Sequence, residues 1–161
     1  MTNFHEEVFI LANQVEQMLT EELFQLLQKE RFVTIATVDH QTGGPNISAI
    51  SWVYAPKKDS VRFAVDNRSR IIENIKANAN VVLNIIGNES TYSISGTALI
   101  KVEKLEEVPL KLALVEIEIK EVRDVMFYGS KISVEPKYEK TYDKEAADKL
   151  DSEVMIAMKK A

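Results

Sequence analysis

Short turns constrain this chain more than any other feature. Residues 31–38 (RFVTIATV) are rich in β-branched side chains, and Asp39-His40-Gln41-Thr42-Gly43-Gly44-Pro45 follows as a run of turn formers. Residues 46–54 (NISAISWVY) read as the next strand, so the pair makes a hairpin. A second turn over 55–60 leads to residues 61–65 (VRFAV). Connections this short leave no room for a crossover, so neighbouring strands must run antiparallel. Residues 80–86 (NVVLNII) read as a buried strand, and 87–90 as a turn. Residues 91–102 alternate, with Tyr92, Ile94, Ala98, Ile100 and Val102 on one face. Gly96 in their midst marks a bulge or a close backbone approach. Val115, Ile117 and Ile119 alternate with Glu116, Glu118 and Lys120, and the apolar phase slips at Val122, as at a bulge or a strand end. The count is about six antiparallel strands. A closed or partly closed barrel would remove exposed edges. An open sheet covered by the terminal helices satisfies the same pattern.

Helices flank this β region. Phe4, Val8, Leu11, Ala12, Val15 and Leu19 recur at helical spacing, which predicts an amphipathic helix over about 3–18. Thr20 followed by Glu21 and Glu22 predicts a second helix start, packed through Leu23, Phe24 and Leu27. Together these give N-terminal helices over about 3–29. Asp143 can cap a last helix over about 143–160, with Ala147, Leu150, Val154 and Ala157 on one face. Between them, 125–133 is apolar and aromatic with Gly129 as a break, and 136–142 is polar and irregular. The 161 residues suit one domain spanning 1–161.

Composition removes several kinds of chemistry. The chain has no cysteine, which excludes disulfides, thiol nucleophiles and zinc–thiolate sites. Its two histidines, His5 and His40, form no metal-binding pair, so no metal site is expected. Net charge is −5, without the basic stripe of a nucleic-acid binder. Glu6, Glu7 and Glu16 do not suit a secretory leader, and no apolar run reaches the length of a membrane span. A cytoplasmic location is the expectation. No Gly-x-Ser-x-Gly elbow and no Walker A sequence is present. An enzyme of this composition needs a cofactor to carry its chemistry.

The stretch best suited to hold one is 61–78. A strand runs through Asp66-Asn67-Arg68 into a helix whose apolar face is Ile71, Ile72 and Ile75. Ser69 is a good N-cap, its hydroxyl able to accept from an amide of the first turn. Arg68 and Arg70 stand beside free backbone N–H groups, an arrangement that binds anions such as phosphate. An ordinary strand-to-helix junction with two solvated arginines reads the same way. Nearby, Ser51 offers a hydroxyl and Trp52 a flat face, although a lone tryptophan is more often a core residue. If Trp52 alternates with Ile50 and Tyr54 along a strand, all three line one barrel or interface face.

The order of these features resembles the pyridoxamine 5′-phosphate oxidase-like family of FMN-binding split β-barrels. The matching residues are Arg31 to Val38 with the Ala36-Thr37-Val38 ending, Gly44-Pro45-Asn46, Ile50-Ser51-Trp52-Val53-Tyr54, Phe63-Ala64-Val65 to Ser69-Arg70, Asn74-Ile75-Lys76-Ala77-Asn78-Ala79-Asn80-Val81, and Ser95-Gly96-Thr97-Ala98. The resemblance implies a split barrel, a homodimer, and FMN at the subunit interface. It implies that Ser69 and Arg70 contact the FMN phosphate. Ile50, Ser51, Trp52 and Val53 would then run beside the isoalloxazine ring, with Asn67 and Asn74 near the phosphate turn. It further implies a flavin-dependent oxidoreductase acting on a small molecule. Two departures matter. Ile71 stands where many members have lysine or threonine, and 48–53 carries none of the basic residues of the genuine oxidases. They point away from pyridoxamine phosphate as substrate. They leave two alternatives, a non-catalytic binder of FMN or another flat anionic cofactor (haem, a deazaflavin), and a dimeric stress or regulatory scaffold with an empty site.

Overall fold

The sheet begins earlier than the sequence suggests. In a computed structural model that describes residues 15–161, β1 (Val15–Glu16) pairs with the strand β8 (Leu112–Asp124), Val15 opposite Arg123. The helix expected over 3–18 is therefore corrected at its C-terminal end; its remainder lies outside the described residues. The cause is a free edge. Strand β5 (Ser60–Asp66) pairs with β8 only from Glu118 to Leu112, and β1 fills two of the positions beyond. Helix α1 (Glu21–Leu26) follows, with Thr20 Oγ1 accepting from the Leu23 amide at 3.3 Å. Leu19, Leu23 and Leu27 are buried in the main core.

The remaining strands are β2 (Val33–Val38), β3 (Pro45–Ile50), β4 (Val53–Lys57), β6 (Asn80–Gly87) and β7 (Ser90–Val102). Every pairing is antiparallel, and the order is β3-β2-β6-β7-β8-β5-β4. The described strands number eight rather than about six. One addition is β1. The other arises because 46–54 is not one strand: it breaks at Ser51 and Trp52. The consequence is topological. β3 and β4 are the two ends of the sheet path, yet only two residues separate them in the chain. The sheet must curl until its ends meet, which is a split barrel. The break is held by backbone bonds: Ser51 C=O accepts from the Arg31 and Val53 amides, and Trp52 C=O from the Ala64 amide, all at 3.0 Å.

Alternate residues fill the barrel, among them Ile35, Val53, Phe63, Leu83, Ile94 and Ile117. Gly96 lies at a register shift between β7 and β8, where Ser95 faces Glu121 and Gly96 faces Ile119. Lys120 is the extra residue, and this bulge moves the apolar phase on to Val122. A side chain at Gly96 would run into the Glu118 carbonyl. The β6–β7 turn is Asn88-Glu89, both at positive φ (49° and 62°), as a tight two-residue hairpin requires.

A second, smaller core lies outside the barrel. Helix α3 (Lys144–Lys160), capped by Asp143 Oδ2 on the Ala146 amide, packs Val154, Ala157 and Met158 against Ala64, Leu112 and Leu114. Arg62, nearly buried, fixes the end of this helix. Its Nη1 donates to the carbonyls of Met158 (3.0 Å) and Ala161 (2.6 Å), while Nε pairs with Glu116 at 3.1 Å. Helix α2 (Arg70–Ala77) connects β5 to β6 and buries Ile71, Ile72 and Ile75. No described helix is long and apolar enough to cross a membrane.

Candidate functional site

The break between β3 and β4 opens a groove of about 410 Å3, within the range of about 300–1,000 Å3 usual for ligand sites. Ile50, Ser51 and Trp52 form one side, and Ala64, Val65 and Asp66 of β5 another. Phe32 and Ala49 add apolar surface. Tyr138 and Lys140, on the irregular segment between β8 and α3, complete the wall.

Asp66 connects this groove to the start of α2. Its carbonyl accepts from the Ser69 amide at 3.0 Å and its carboxylate from the Arg68 amide at 2.8 Å. The latter contact holds the Asp66 carboxyl below its usual range. Ser69 has the extended backbone of an N-cap, but its hydroxyl makes no cap bond, contrary to expectation. The Oγ atom is buried and has no hydrogen-bond partner. The carbonyl of Ser69, not its hydroxyl, accepts from the first turn, at the Ile72 and Glu73 amides. Arg70 is 62% exposed and its Nε lies 3.2 Å from Asp39 Oδ2. Asp39 also accepts from the Thr42 and Gln41 amides, which with Arg70 hold its carboxyl below the ordinary value. Arg68 is more exposed still, 3.5 Å from Asp66.

The sequence-derived residues thus divide. Ile50, Ser51 and Trp52 line the groove, and Ser69 and Arg70 stand one turn beyond Asp66. The Val53 side chain does not line it; the barrel core takes it completely. The Asn67 side chain donates through Nδ2 to the Glu103 carbonyl at 3.2 Å, in the β7–β8 connection. Asn74 is fully buried. Its Nδ2 donates to Thr37 Oγ1 and Asn46 Oδ1, and its Oδ1 accepts from the His40 amide, each at 2.9 Å. That side chain ties α2 to the β2–β3 turn. Nor do Ile50, Trp52 and Tyr54 share a face: Ile50 packs on the barrel core, Trp52 and Tyr54 on the core under α3.

A polar network escaped the sequence reading. The Trp52 indole donates to Asp151 Oδ1 at 2.9 Å. Lys140 bridges Asp151 (3.0 Å) and Glu30 (2.7 Å), and Tyr138 Oη donates to Glu30 at 2.9 Å. Burial and the Glu30 carboxylate push the Tyr138 phenol up to about 12. Burial opposes the charge on Lys140, but the two carboxylates outweigh it and raise the ammonium. Burial likewise opposes the Asp151 charge, and the Trp52 and Lys140 hydrogen bonds outweigh that, lowering its carboxyl. Glu30, Lys140 and Asp151 are far apart in sequence, and no local pattern announces their meeting. Asp39 did carry a signal, since an aspartate opening a turn commonly accepts from the backbone two residues on.

A curled antiparallel sheet with a ligand-sized groove where its ends meet defines a split barrel by fold. The chain belongs to the pyridoxamine 5′-phosphate oxidase family, whose model matches residues 19–126. Three solved structures illustrate the likeness. One is a Lactobacillus delbrueckii protein described as a pyridoxamine 5′-phosphate oxidase (21% identity, 66% of this chain and 94% of that one, TM-score 0.57). Another is Group A Streptococcus HupZ (18%, 73% and 100%, 0.57). The third is an F420 reductase (18%, 65% and 98%, 0.50). At these identities the likeness is one of fold. No curated protein matches the chain in sequence.

Proposed function

We propose that this protein binds FMN, its ring in the groove beside Ile50–Trp52 and its phosphate at the start of α2, and serves as a flavin-dependent oxidoreductase on a small molecule. The observation that carries this is the Ser69 hydroxyl, buried without a partner and adjacent to Arg70. A buried hydroxyl left unbonded is costly, and a phosphate oxygen would satisfy it. The residues present therefore fit the group. When bound, flavin supplies hydride or electron transfer. The chain's own task is to bind and orient: Arg70 and Ser69 hold the phosphate, and the Ser51–Trp52 segment borders the ring. The second copy implied by the family has a face to bind. Ile47 and Leu99 are 72% and 66% exposed on the outer side of the sheet. A depression of about 460 Å3 in the same sheet is lined by Ala36, opposite Ile47, and by Asn80, opposite Thr97.

The visible absorption spectrum of purified protein, before and after FMN is added and excess removed, tests the reading. Retained flavin is expected, with Arg70→Ala weakening FMN about tenfold or more through loss of a charge-assisted hydrogen bond. Equal affinity in variant and parent would remove the phosphate assignment. A monomer in sedimentation at micromolar concentration would remove the two-subunit site. The F420 reductase neighbour supports a second reading, a binder of a different flat anionic cofactor in the same groove. A deazaflavin is the alternative to load in the same experiment.

A further inference from the structure

One wall of the groove comes from outside the family-matched region. Tyr138 and Lys140 lie beyond residue 126, where the match ends, on a segment without regular structure. That segment is nevertheless pinned along its length. The Ile132 amide donates to the Glu89 carbonyl at 2.7 Å, Arg31 pairs with Glu135 at 3.0 Å, and Tyr138 and Lys140 both bond Glu30. The last contacts are half-buried, with the side chains of Glu30, Lys140 and Asp151 at 17%, 26% and 13% exposure. Charges so placed are screened less than surface charges. Two carboxylates surround one ammonium, so the Lys140 charge is more than neutralised. The groove's other charged lining residue is Asp66, also a carboxylate. The rest of this end is aromatic: the Phe32 and Tyr138 rings lie 6.3 Å apart, and Trp52 is held by Asp151.

We propose that Tyr138 and Lys140 form the specificity-determining wall of the groove, that Glu30 and Asp151 position them, and that the substrate ring they admit is flat and carries no net negative charge. This rests on the groove being the ligand site of a flavin protein; the ring concerned is the second reactant. A flat ring gains contact with Phe32 and Tyr138. A cationic ring gains further from aromatic faces and from the excess carboxylate. An anionic ring meets Glu30 and Asp151 with no unneutralised cation to receive it, and a phosphate ester is disfavoured most.

Three flat probes of nearly equal shape test this: nicotinate, nicotinamide and 1-methylnicotinamide, an anion, a neutral molecule and a cation. Each is titrated into FMN-supplemented protein and followed by quenching of Trp52, the chain's single tryptophan. Nicotinate is expected to bind most weakly, about fivefold or more below 1-methylnicotinamide at low salt, with a gap that narrows as salt rises. Tyr138→Ala weakens all three, and Glu30→Gln narrows the gap between cation and anion. Nicotinate binding as tightly as the cation overturns the proposal, as does a gap that Glu30→Gln leaves unchanged, or no quenching by any probe. The visible spectrum of the same protein, taken after excess FMN is removed, separates the two readings. Discrimination without retained flavin sinks only the flavin assignment; retained flavin without discrimination sinks only this one.

Discussion

Replacing Asn74 with alanine separates a structural role from a phosphate-binding one. The parent side chain donates to Thr37 and Asn46 and accepts from His40, at 2.9 Å in each case. Thr37 is 4% exposed, so water cannot replace the lost partner. An orphaned buried group of this kind costs about 1–3 kcal/mol. His40 and Asn46 are closer to solvent and recover most of their bonding, each losing about 1 kcal/mol or less. The sum is about 3 kcal/mol. For a chain of this size about 2–4 °C of melting temperature accompanies each kcal/mol, so a fall of about 10 °C is expected. Thermal unfolding followed by circular dichroism measures it, with Asn74→Asp as a control that keeps the acceptor and loses the donor. A melting temperature within about 2 °C of the parent would refute the reasoning. If that result came with weakened FMN binding, Asn74 would belong to the cofactor site instead.

Arg62→Met removes the charge that holds the end of α3 and leaves Glu116 without its closest partner; a loss of about 3 kcal/mol is expected, read from the urea midpoint. An unchanged midpoint means the clamp contributes nothing. Gly96→Ala forces a methyl group onto the Glu118 carbonyl and 2.8 Å from Ile117 Cγ2, backbone and core of β8 that cannot yield cheaply. A loss of about 3 kcal/mol, and a parent-like stability if the bulge is soft, are the two outcomes to distinguish. The Asp151 carboxyl is depressed below its ordinary 3.8, so its contribution is fully present above that value and lost as pH falls through the folded-state value. Acid should therefore release the indole of Trp52, seen as a shift of its emission, and Asp151→Asn should abolish that acid limb. The Tyr138 phenol is raised from 10 to about 12, so the folded chain keeps its proton longer than the unfolded one. Its contribution is present below pH 10 and lost as pH approaches about 12; Tyr138→Phe should flatten that alkaline limb.

The strands were legible because their turns are. Asp39 to Pro45 and Gly87 to Ser90 contain the residues that reverse a chain, and the alternation around Val115 and Ile117 has no other use. Gly96 and the slip at Val122 each allowed a bulge in the sequence, and the register makes them two sides of one. The break at Ser51–Trp52 was not legible, because NISAISWVY contains no glycine or proline and each residue suits a strand. Barrel closure imposes it, and closure is a property of all the strands together. The Ser69 hydroxyl misled for a related reason. A serine at a helix start caps by default, but here the Ser69 backbone carbonyl takes over the first turn and leaves the side chain over. Asn74 gave a sign that went unused: it lies three residues after Ile71 and one before Ile75, on the face α2 buries. A polar residue there must find partners inside.

The same break that closes the barrel also makes the groove. Had β3 run on straight into β4, Ser51 and Trp52 would have sat within one strand at the sheet's edge. Their carbonyls would then pair sideways instead of serving Arg31, Val53 and Ala64. Splitting the strand turns Trp52 outward onto α3 while Ile50 stays against the barrel core, so the two cores separate along this line. The space between them is the groove, and β5 delivers Asp66 and the start of α2 to its other side. The C-terminal segment then covers what the barrel leaves open, held there by Glu30, Arg31 and Asp151. A ligand site formed this way is shared between a barrel frame that the family model spans and a tail that lies beyond residue 126. The frame would set what kind of cofactor fits, through Ser69 and Arg70. The tail would set which reactant meets it, through Tyr138 and Lys140, so exchanging residues 127–142 for those of another split barrel should change substrate preference while flavin binding persists.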